Sequence, residues 1–194
     1  SLLLVKCHFQ RCVLDPLDLH VPSNVERYSR GLTIRCNGDF SGTLRAIAET
    51  YRDNWLVPEL VSSLTELHIN PKEGVRTHSV EVHHHNRLVA GEVGYSTGKV
   101  YTSLSGFHRR NGAGTVQLVA LAIILREAGF DFWDLGMEAA YKLRLGARLV
   151  DRKPFLHRYR QSGAEQAEED GPRLPGGTRS CIDLVQRARA SIRP

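Results

Sequence analysis

One block of the sequence, residues 78–149, most constrains the fold because its apolar residues follow two different periods. Between residues 79 and 107, apolar side chains recur at alternate positions in three runs, the spacing of half-buried β-strands. Polar and glycine residues at 86–87 and 96–98 interrupt the runs and favour tight turns. This part of the block therefore predicts consecutive hairpin strands at the centre of a sheet.

A loop, a helix, a strand and a second helix follow these strands. Apolar residues fill the segment 116–128, which ends at Gly129, a residue suited to a left-handed helix cap. The segment 130–136 alternates aromatic side chains with aspartates and is predicted to be a strand, and the next segment is predicted to be a helix that ends at Gly146. We therefore expect an α+β fold with a mixed, mostly antiparallel central sheet flanked by helices.

The loop before the first of these helices has the composition of an anion site. Gly112 and Gly114 lie at the predicted start of the helix, where backbone N–H groups and the helix dipole attract anions. Arg109 and Arg110 add positive charge, and the run from 109 to 114 matches the Arg/Gln-x-x-Gly-x-Gly/Ala pattern with which acetyltransferases bind the pyrophosphate of acyl-CoA. We therefore predict that these four residues bind a phosphate-bearing ligand.

The rest of the chain is predicted to complete one domain and to form a tail. Residues 1–160 are predicted to form one domain, in which two helices at 40–52 and 58–67 pack as a pair. The acetyltransferase pattern of the glycine loop likens this domain to the acyltransferases. Residues 161–180 are rich in Gly, Pro and charge and are predicted to form a flexible loop. Residues 181–194 are predicted to form a short amphipathic helix.

Charge, cysteine content and the length of apolar runs indicate which partners and which compartment to expect. The net charge of +5 favours an acidic partner such as nucleic acid or a phosphate-bearing cofactor. The four cysteines form no Cys-x-x-Cys pair and are predicted to be reduced thiols. No apolar run approaches the ~20 residues of a membrane span, so no spanning segment is expected. These features favour a cytoplasmic protein, or one in an organelle such as the mitochondrion if a targeting segment has been removed.

Three carboxylates on predicted strands, Glu81, Glu92 and Asp134, are the candidate catalytic residues. An ionised group on a central strand is costly unless it is paired or faces a cleft, so each glutamate is either a general base or part of a strand-end ion pair. Asp134 lies near the end of its strand, from which side chains reach a crevice, or it caps the next helix. We expect Asp134 and Glu92 to face the same cleft at the centre of the sheet.

Three consecutive histidines at 83–85 do not predict a metal site. Neighbouring strand residues point to opposite faces, so only His83 and His85 share a face, and no third ligand has a useful spacing. No metal ligand is therefore assigned.

Four segments together resemble the leucyl/phenylalanyl-tRNA–protein transferases: WLVPELVSSLTELH, HSVEVHHHNRLVAGEVGY, SGFHR and WDLGMEAAYKLRLGA. The resemblance runs from about His20 to Tyr159, and HSVEV followed by LVAGEVGY is its most specific part. Proteins of that family share the Gcn5-related N-acetyltransferase fold, whose core has the same order of elements as residues 78–149. The resemblance therefore implies this fold.

The resemblance also implies a function. Family members transfer an amino acid from an aminoacyl-tRNA to the N-terminal Arg or Lys of a protein, which marks that protein for degradation. The implied donor is aminoacyl-tRNA, and the implied partners are tRNA and a protein N-terminus. Trp55 falls on a tryptophan that contacts the terminal adenosine or the aminoacyl group, and Asp134 falls on the aspartate assigned to catalysis or substrate orientation. Ser105, Tyr101 and Met137 are assigned to the substrate site with Trp55.

Two departures from the family pattern leave the activity open. Where bacterial members have Gly-Glu-Ser-Met-Phe, this chain has SLSGF at 103–107, and where they have Asp-x-Gln, it has Asp-Leu-Gly at 134–136. Three hypotheses follow: an aminoacyltransferase with altered substrates, an N-acetyltransferase that uses acetyl-CoA, or a non-catalytic family member that serves as a subunit of a larger assembly.

Overall fold

The computed structural model describes residues 7–51, 55–163 and 171–191. Within these ranges eight strands form one sheet in the order β7-β1-β6-β5-β4-β3-β2-β8. The strands are β1 (Gln10–Leu14), β2 (Leu32–Cys36), β3 (Val75–His84), β4 (Arg87–Thr97), β5 (Val100–His108), β6 (Phe132–Gly136), β7 (Arg148–Asp151) and β8 (Thr178–Ser180). The helices are α1 (Val25–Ser29), α2 (Phe40–Thr50), α3 (Pro58–Ile69), α4 (Ala113–Ala128), α5 (Ala140–Arg144), α6 (Arg152–Gln161) and α7 (Cys181–Ser191).

The sheet has the predicted mixed, mostly antiparallel character. Strands β3, β4 and β5 lie in its middle and pair with antiparallel neighbours through two tight turns, as their alternating pattern indicated. Strand β6 pairs with β5 in parallel, because α4 carries the chain back between them. Helix α4 begins at Ala113, three residues before its apolar segment, and ends at Gly129 in the left-handed conformation.

The helices divide between the two faces of the sheet. The largest core cluster joins α1, α4 and α7 to strand side chains such as Val80 and Ala90. On the opposite face, α2 packs on Val93 and Phe107, and α6 packs near Phe132. We call these surfaces the α4 face and the α6 face. Successive residues of a strand point to opposite faces. Alternate residues of each strand therefore contact the helices of the α4 face, and the residues between them contact the helices of the α6 face.

The C-terminal part of the chain packs more closely than predicted. Leu174 is buried in the main core, and Thr178–Ser180 forms β8, which pairs with β2. The prediction of a flexible loop over 161–180 is therefore wrong for these residues, whereas 164–170 lie outside the described residues. Helix α7 is confirmed, and its buried side chains belong to the same core as α4.

The helix predicted after β6 is confirmed but short: α5 covers Ala140–Arg144, and Gly146 follows it with φ of 95°. The next strand, β7, was not predicted. It pairs with β1, which is more than 130 residues earlier in the sequence, so no local pattern indicates it. In the three described ranges, no helix has both the length and the apolar character needed to cross a membrane.

Candidate functional site

The parallel strands β5 and β6 separate near the centre of the sheet. Their register includes Tyr101 opposite Trp133 and ends at Thr102 opposite Asp134. Beyond that point, residues 103–106 of β5 are only half-buried. We call the opening between residues 103–106 and residues 135–137 the cleft. It exposes backbone groups that a neighbouring strand would otherwise pair, and one of them, the carbonyl of Gly106, accepts a hydrogen bond of 2.9 Å from the Tyr51 hydroxyl.

Asp134 lies beside the cleft and is buried on the α6 face, where Arg11 of β1 neutralises its charge. The Arg11 guanidinium donates to both carboxylate oxygens, with Nη2–Oδ2 at 2.6 Å and Nε–Oδ1 at 3.1 Å. The backbone N–H of Gly136 donates to Oδ1 at 2.9 Å and fixes the turn that ends β6. Because both oxygens are engaged, this geometry suits a residue that orients its neighbours rather than a free base.

A cavity of about 270 Å³ opens beside the Arg11–Asp134 pair. Its lining combines basic, acidic and aromatic side chains: His8, Arg11, Tyr95, Asp134, Arg152, Phe155, Leu156 and Tyr159. Helix α6 supplies half of this lining, although the sequence did not predict α6. Asp134 does not cap the next helix, because α5 begins only after Ala139.

Glu92 is buried on the α4 face within a set of hydrogen-bond donors. Its carboxylate accepts bonds from the Tyr101 hydroxyl at 2.9 Å, the Ser103 hydroxyl at 2.8 Å and the Gln117 amide at 2.7 Å. Burial raises the pKa of Glu92 above its ordinary value, and the three hydrogen bonds oppose that rise. Tyr101 therefore supports a buried carboxylate rather than lining an open substrate site.

The structure does not bring Glu92 and Asp134 into one cleft. The indole N–H of Trp133 donates to the Ser103 hydroxyl at 2.9 Å, which places Trp133 on the same face as Glu92. Asp134 follows Trp133 in β6 and so points to the other face. The Glu92 carboxylate contacts the edge of the cleft through the Ser103 hydroxyl, which is half-buried.

Glu81 has a structural role at the start of α2. Its two carboxylate oxygens accept the backbone N–H groups of Gly38 at 3.1 Å and Asp39 at 3.2 Å. Asp39 is in turn the N-cap of α2 and accepts the N–H of Gly42 at 2.8 Å. Glu81 is therefore held on the α2 side of the sheet, two strands away from the cleft.

The remaining predicted substrate residues lie around the cleft to different degrees. Ser105 is half-buried on β5, inside the stretch that β6 no longer covers, and Met137 is exposed directly after β6. Trp55 is 42% exposed in the connection between α2 and α3. The structure therefore places Ser105 and Met137 at the cleft and leaves Trp55 with a ring that is accessible to a ligand.

The glycine loop begins α4 as predicted, but its residues are largely engaged within the protein. Gly112 is the N-cap of α4 with φ of 77°, and a Cβ there would lie 2.3 Å from the Tyr28 ring. The Arg109 guanidinium pairs with Glu49 at 2.8 Å, and Arg110 lies 3.3 Å from the His84 imidazole. Because Tyr28 covers Gly112, the loop has less room for the close approach of a pyrophosphate than the acyl-CoA hypothesis requires.

Gly114, the other glycine of the pattern, lies inside the first turn of α4. A Cβ at Gly114 would meet the His108 ring at 3.4 Å, which is ordinary contact. An alanine would therefore fit at Gly114, in contrast to Gly112.

The Gly112→Ala substitution is expected to lower the free energy of unfolding by about 2–4 kcal/mol, because it adds both left-handed strain and a clash with Tyr28. Gly129→Ala is the matched control, since Gly129 has φ of 87° but nothing within 4 Å of its added Cβ. It should lose only about 1–2 kcal/mol. Urea unfolding of both variants measures the difference. Equal losses would show that the Tyr28 contact has no energetic weight.

Lys142 is a residue at the cleft that the sequence analysis missed. Its ammonium donates to the backbone carbonyls of Leu135 and Met137, both at 2.7 Å, just beyond the end of the β5–β6 register. The side chain is half-buried, and burial lowers its pKa. The sequence gave no signal for this role, because the two acceptors are backbone carbonyls, which every residue carries.

Comparison with known proteins identifies the family. The family model described as leucyl/phenylalanyl-tRNA protein transferase matches residues 13–160. Relatives with that name occur in Solidesulfovibrio magneticus, with 32% identity over 87% of this chain and 69% of the relative, and in Nitratidesulfovibrio vulgaris, with 38% identity over 75% and 63%. A third, from Pseudomonas paraeruginosa, is 35% identical over 77% and 68%. The chain thus spans about two thirds of the length of these relatives.

A solved structure shares the fold at low sequence identity. It is the C-terminal domain of a protein described as a lysylphosphatidylglycerol synthetase from Agrobacterium fabrum, with a TM-score of 0.51 and 14% identity over 73% of this chain and 57% of that one.

The family match over residues 13–160 covers β5, β6 and β7, and the alignment with the Solidesulfovibrio relative covers 175 residues. The similarity to the family is therefore not confined to the residues of the cleft. The chain therefore belongs to the leucyl/phenylalanyl-tRNA–protein transferase family.

Proposed function

We propose that this protein transfers an amino acid from an aminoacyl-tRNA to the α-amino group at the N-terminus of an acceptor protein. The observation that carries the proposal is the family match over residues 13–160, because this range contains the whole cleft and Asp134. The amine nitrogen attacks the ester carbonyl carbon of the donor and a C–N bond forms. The C–O bond to the terminal ribose then breaks, and the proton lost by the amine ends on the released hydroxyl.

Asp134 contributes to this reaction by orientation. It holds Arg11 and the Gly136 turn at the point where β6 leaves β5, so it fixes the geometry of one wall of the cleft. Holding two reactants in the correct geometry supplies a large part of the rate enhancement of acyl transfer. Glu92 is a second candidate for proton transfer, and its route to the substrate runs through the Ser103 hydroxyl.

We further propose where the two ends of the donor bind. Ser105 and Met137 border the cleft and suit contact with the aminoacyl group, and the exposed ring of Trp55 offers a stacking surface for the terminal adenosine. Arg110 and the start of α4 suit a backbone phosphate of the tRNA. The strand separation and the position of α4 between β5 and β6 also support a Gcn5-related N-acetyltransferase fold for this chain.

A transfer assay tests this function. The protein is incubated with a peptide acceptor and with tRNA charged with labelled leucine or phenylalanine, and the peptide mass is measured. A gain of one aminoacyl residue that requires the charged tRNA is expected. A parallel reaction with acetyl-CoA tests the acetyltransferase hypothesis by a gain of one acetyl group. A peptide unchanged by every donor would contradict the proposal and favour a non-catalytic family member.

A further inference from the structure

Helix α6 lines a cavity to which the proposed function assigns no ligand. We call this cavity of about 270 Å³, beside the Arg11–Asp134 pair, the α6 cavity. One face of the helix supplies four of its lining residues, at positions i, i+3, i+4 and i+7: Arg152, Phe155, Leu156 and Tyr159. Tyr95 of β4 lines it from the sheet. Small-molecule sites begin at ~300 Å³, so the cavity has room for one small ligand.

The apolar part of this lining is aromatic. The rings of Phe155 and Tyr159 are half-buried, and their centroids lie 5.7 Å apart at an interplanar angle of 32°. The Arg11 guanidinium lies over the Phe155 ring, 5.9 Å from its centroid. The Tyr159 hydroxyl forms a hydrogen bond of 2.5 Å with the Thr97 hydroxyl, which holds the second ring in place. Rings fixed in this way offer their faces to a planar ligand, as in proteins that stack nucleic acid bases.

The charged part of the lining is positive in sum. Arg11 and Asp134 neutralise each other, because the guanidinium donates to both carboxylate oxygens. Arg152 is exposed at the start of α6, and no ion pair within residues 7–51, 55–163 and 171–191 includes it. The adjacent Asp151 accepts the Gln10 amide at 2.8 Å and is exposed, where water screens its charge. The cavity therefore favours an anionic ligand.

A buried hydroxyl on the same face of the sheet has no hydrogen-bond partner in the described part of the chain. Thr102 is 2% exposed, and its Oγ1 is unpaired. It lies opposite Tyr95 in β4 and Asp134 in β6, and both of these residues line the α6 cavity. Tyr101 contacts Glu92 on the α4 face, so the next residue, Thr102, points to the α6 face. An unpaired buried hydroxyl costs about 1–3 kcal/mol, so a polar ligand group that reached it would be stabilised.

We propose that the α6 cavity binds one nucleotide, with its base on the Phe155 ring and its phosphate at Arg152. A nucleotide has a planar ring, polar edges and a negative charge, and each of these matches one part of the lining. A phosphate ion alone would leave the rings without a contact. An Arg or Lys side chain of an acceptor would approach Arg11 and Arg152 with a like charge.

Two sources can supply this nucleotide. One is the unpaired 3′ end of the donor tRNA, at a nucleotide before the terminal adenosine, and the other is a free nucleotide. The first source rests on the proposed function, whereas binding to the cavity does not depend on transfer.

Calorimetric titration of the parent protein with AMP, CMP, adenosine and inorganic phosphate tests the binding. AMP and CMP are expected to have Kd values about 10-fold or more below those of adenosine and phosphate, because only a nucleotide uses both the ring and the cation. A Kd for phosphate equal to that for AMP would overturn the proposal, since the rings would then contribute nothing.

Two variants assign the site to the cavity. Phe155→Leu should raise the Kd of AMP about 10-fold by removing the stacking surface. Arg152→Gln should raise the Kd of AMP by a similar factor and leave that of adenosine unchanged. Lys153→Gln is the matched control, because it removes an exposed charge from the next position of α6, which does not line the cavity. It should bind AMP as the parent does.

Thermal unfolding checks that each variant is folded, because Phe155 also packs against Phe132 with a centroid distance of 6.0 Å. Arg152 is exposed, so its variant tests the proposal even if Phe155→Leu does not fold. A folded Arg152→Gln variant that binds AMP as tightly as the parent would overturn the proposal. Loss of AMP binding in Trp55→Ala, with none in Phe155→Leu, would overturn it too, because the nucleotide would then lie on the Trp55 ring.

Competition with RNA identifies the source of the nucleotide. Displacement of AMP by uncharged tRNA, but not by the same tRNA without its unpaired 3′ end, would assign the cavity to the donor. AMP that binds and is displaced by neither RNA would assign it to a free nucleotide. A parent that binds neither AMP nor CMP would overturn the inference and leave the proposed function standing. A parent that binds AMP but modifies no peptide in the transfer assay would overturn the proposed function alone.

Discussion

The Asp134→Asn substitution is expected to lower kcat on the order of 10²-fold, because it removes the charge that positions Arg11 at the edge of the cleft. The amide oxygen of asparagine can still accept the Gly136 N–H, so the turn at the end of β6 should persist. The loss of the charge-assisted bonds should cost about 1–3 kcal/mol of unfolding free energy. Single-turnover transfer rates and urea unfolding measure the two effects separately.

Asp131→Asn is the matched control for this experiment. Asp131 is an exposed aspartate just before β6, and the same chemical change there should leave both the rate and the stability close to those of the parent. If Asp134→Asn turned over as fast as the control while remaining folded, the assigned role of Asp134 would be wrong. A larger effect on KM than on kcat would instead place Asp134 in substrate binding.

The Glu92→Leu substitution is expected to give the largest loss of stability in the cleft region, about 2–5 kcal/mol. It leaves two buried donors, on Tyr101 and Gln117, and the half-buried Ser103 hydroxyl without their acceptor, and each unsatisfied buried donor costs about 1–3 kcal/mol. The double variant Glu92→Leu/Gln117→Leu removes one of these donors as well and should recover part of the loss. A double variant less stable than Glu92→Leu would contradict this account.

Glu92 also makes stability depend on pH with a defined sign. Burial raises its pKa in the folded protein above 4.5, so folding favours the protonated form. Stability should therefore fall as the pH rises from about 4.5 towards the folded pKa, by as much as ~1.4 kcal/mol per pH unit. The Glu92→Gln variant should lack this component. A pH profile of unfolding free energy that is parallel for the two proteins would show that Glu92 does not titrate in this range.

The elements of the central block were predictable because their signals are local. Alternation in β3, β4 and β5, the apolar run of α4 and the left-handed glycine at 129 each lie within a dozen or so residues. The helices α2, α3 and α7 were predictable for the same reason. Strand β8 has only three residues and α6 is strongly basic, so neither has an apolar pattern long enough to indicate its structure.

The candidate site was predictable only in part. The sequence selected Asp134 because it lies near the end of a strand, a position that reaches a crevice, whereas Ser105 and Met137 were assigned together with the family resemblance. It placed Glu92 and Asp134 in one cleft, whereas strand parity directs them to opposite faces of the sheet. Whether residues on different strands point to the same face depends on the register of those strands. A bulge between Val93 and Gly94 shifts the register of β4 against β5.

The sequence by itself determined the strands β3 to β6, the helices α2, α3, α4 and α7, and the family pattern that the chain carries, because short-range periodicity and motif spacing are written in consecutive residues. Only the tertiary structure decided that Arg11 neutralises Asp134 across 123 residues of sequence and that Lys142 lies at the open end of the cleft. These contacts depend on the pairing of β1 with β6 and on the short helix after β6. Such long-range pairing is selected by the burial of the whole core, and no local pattern encodes it.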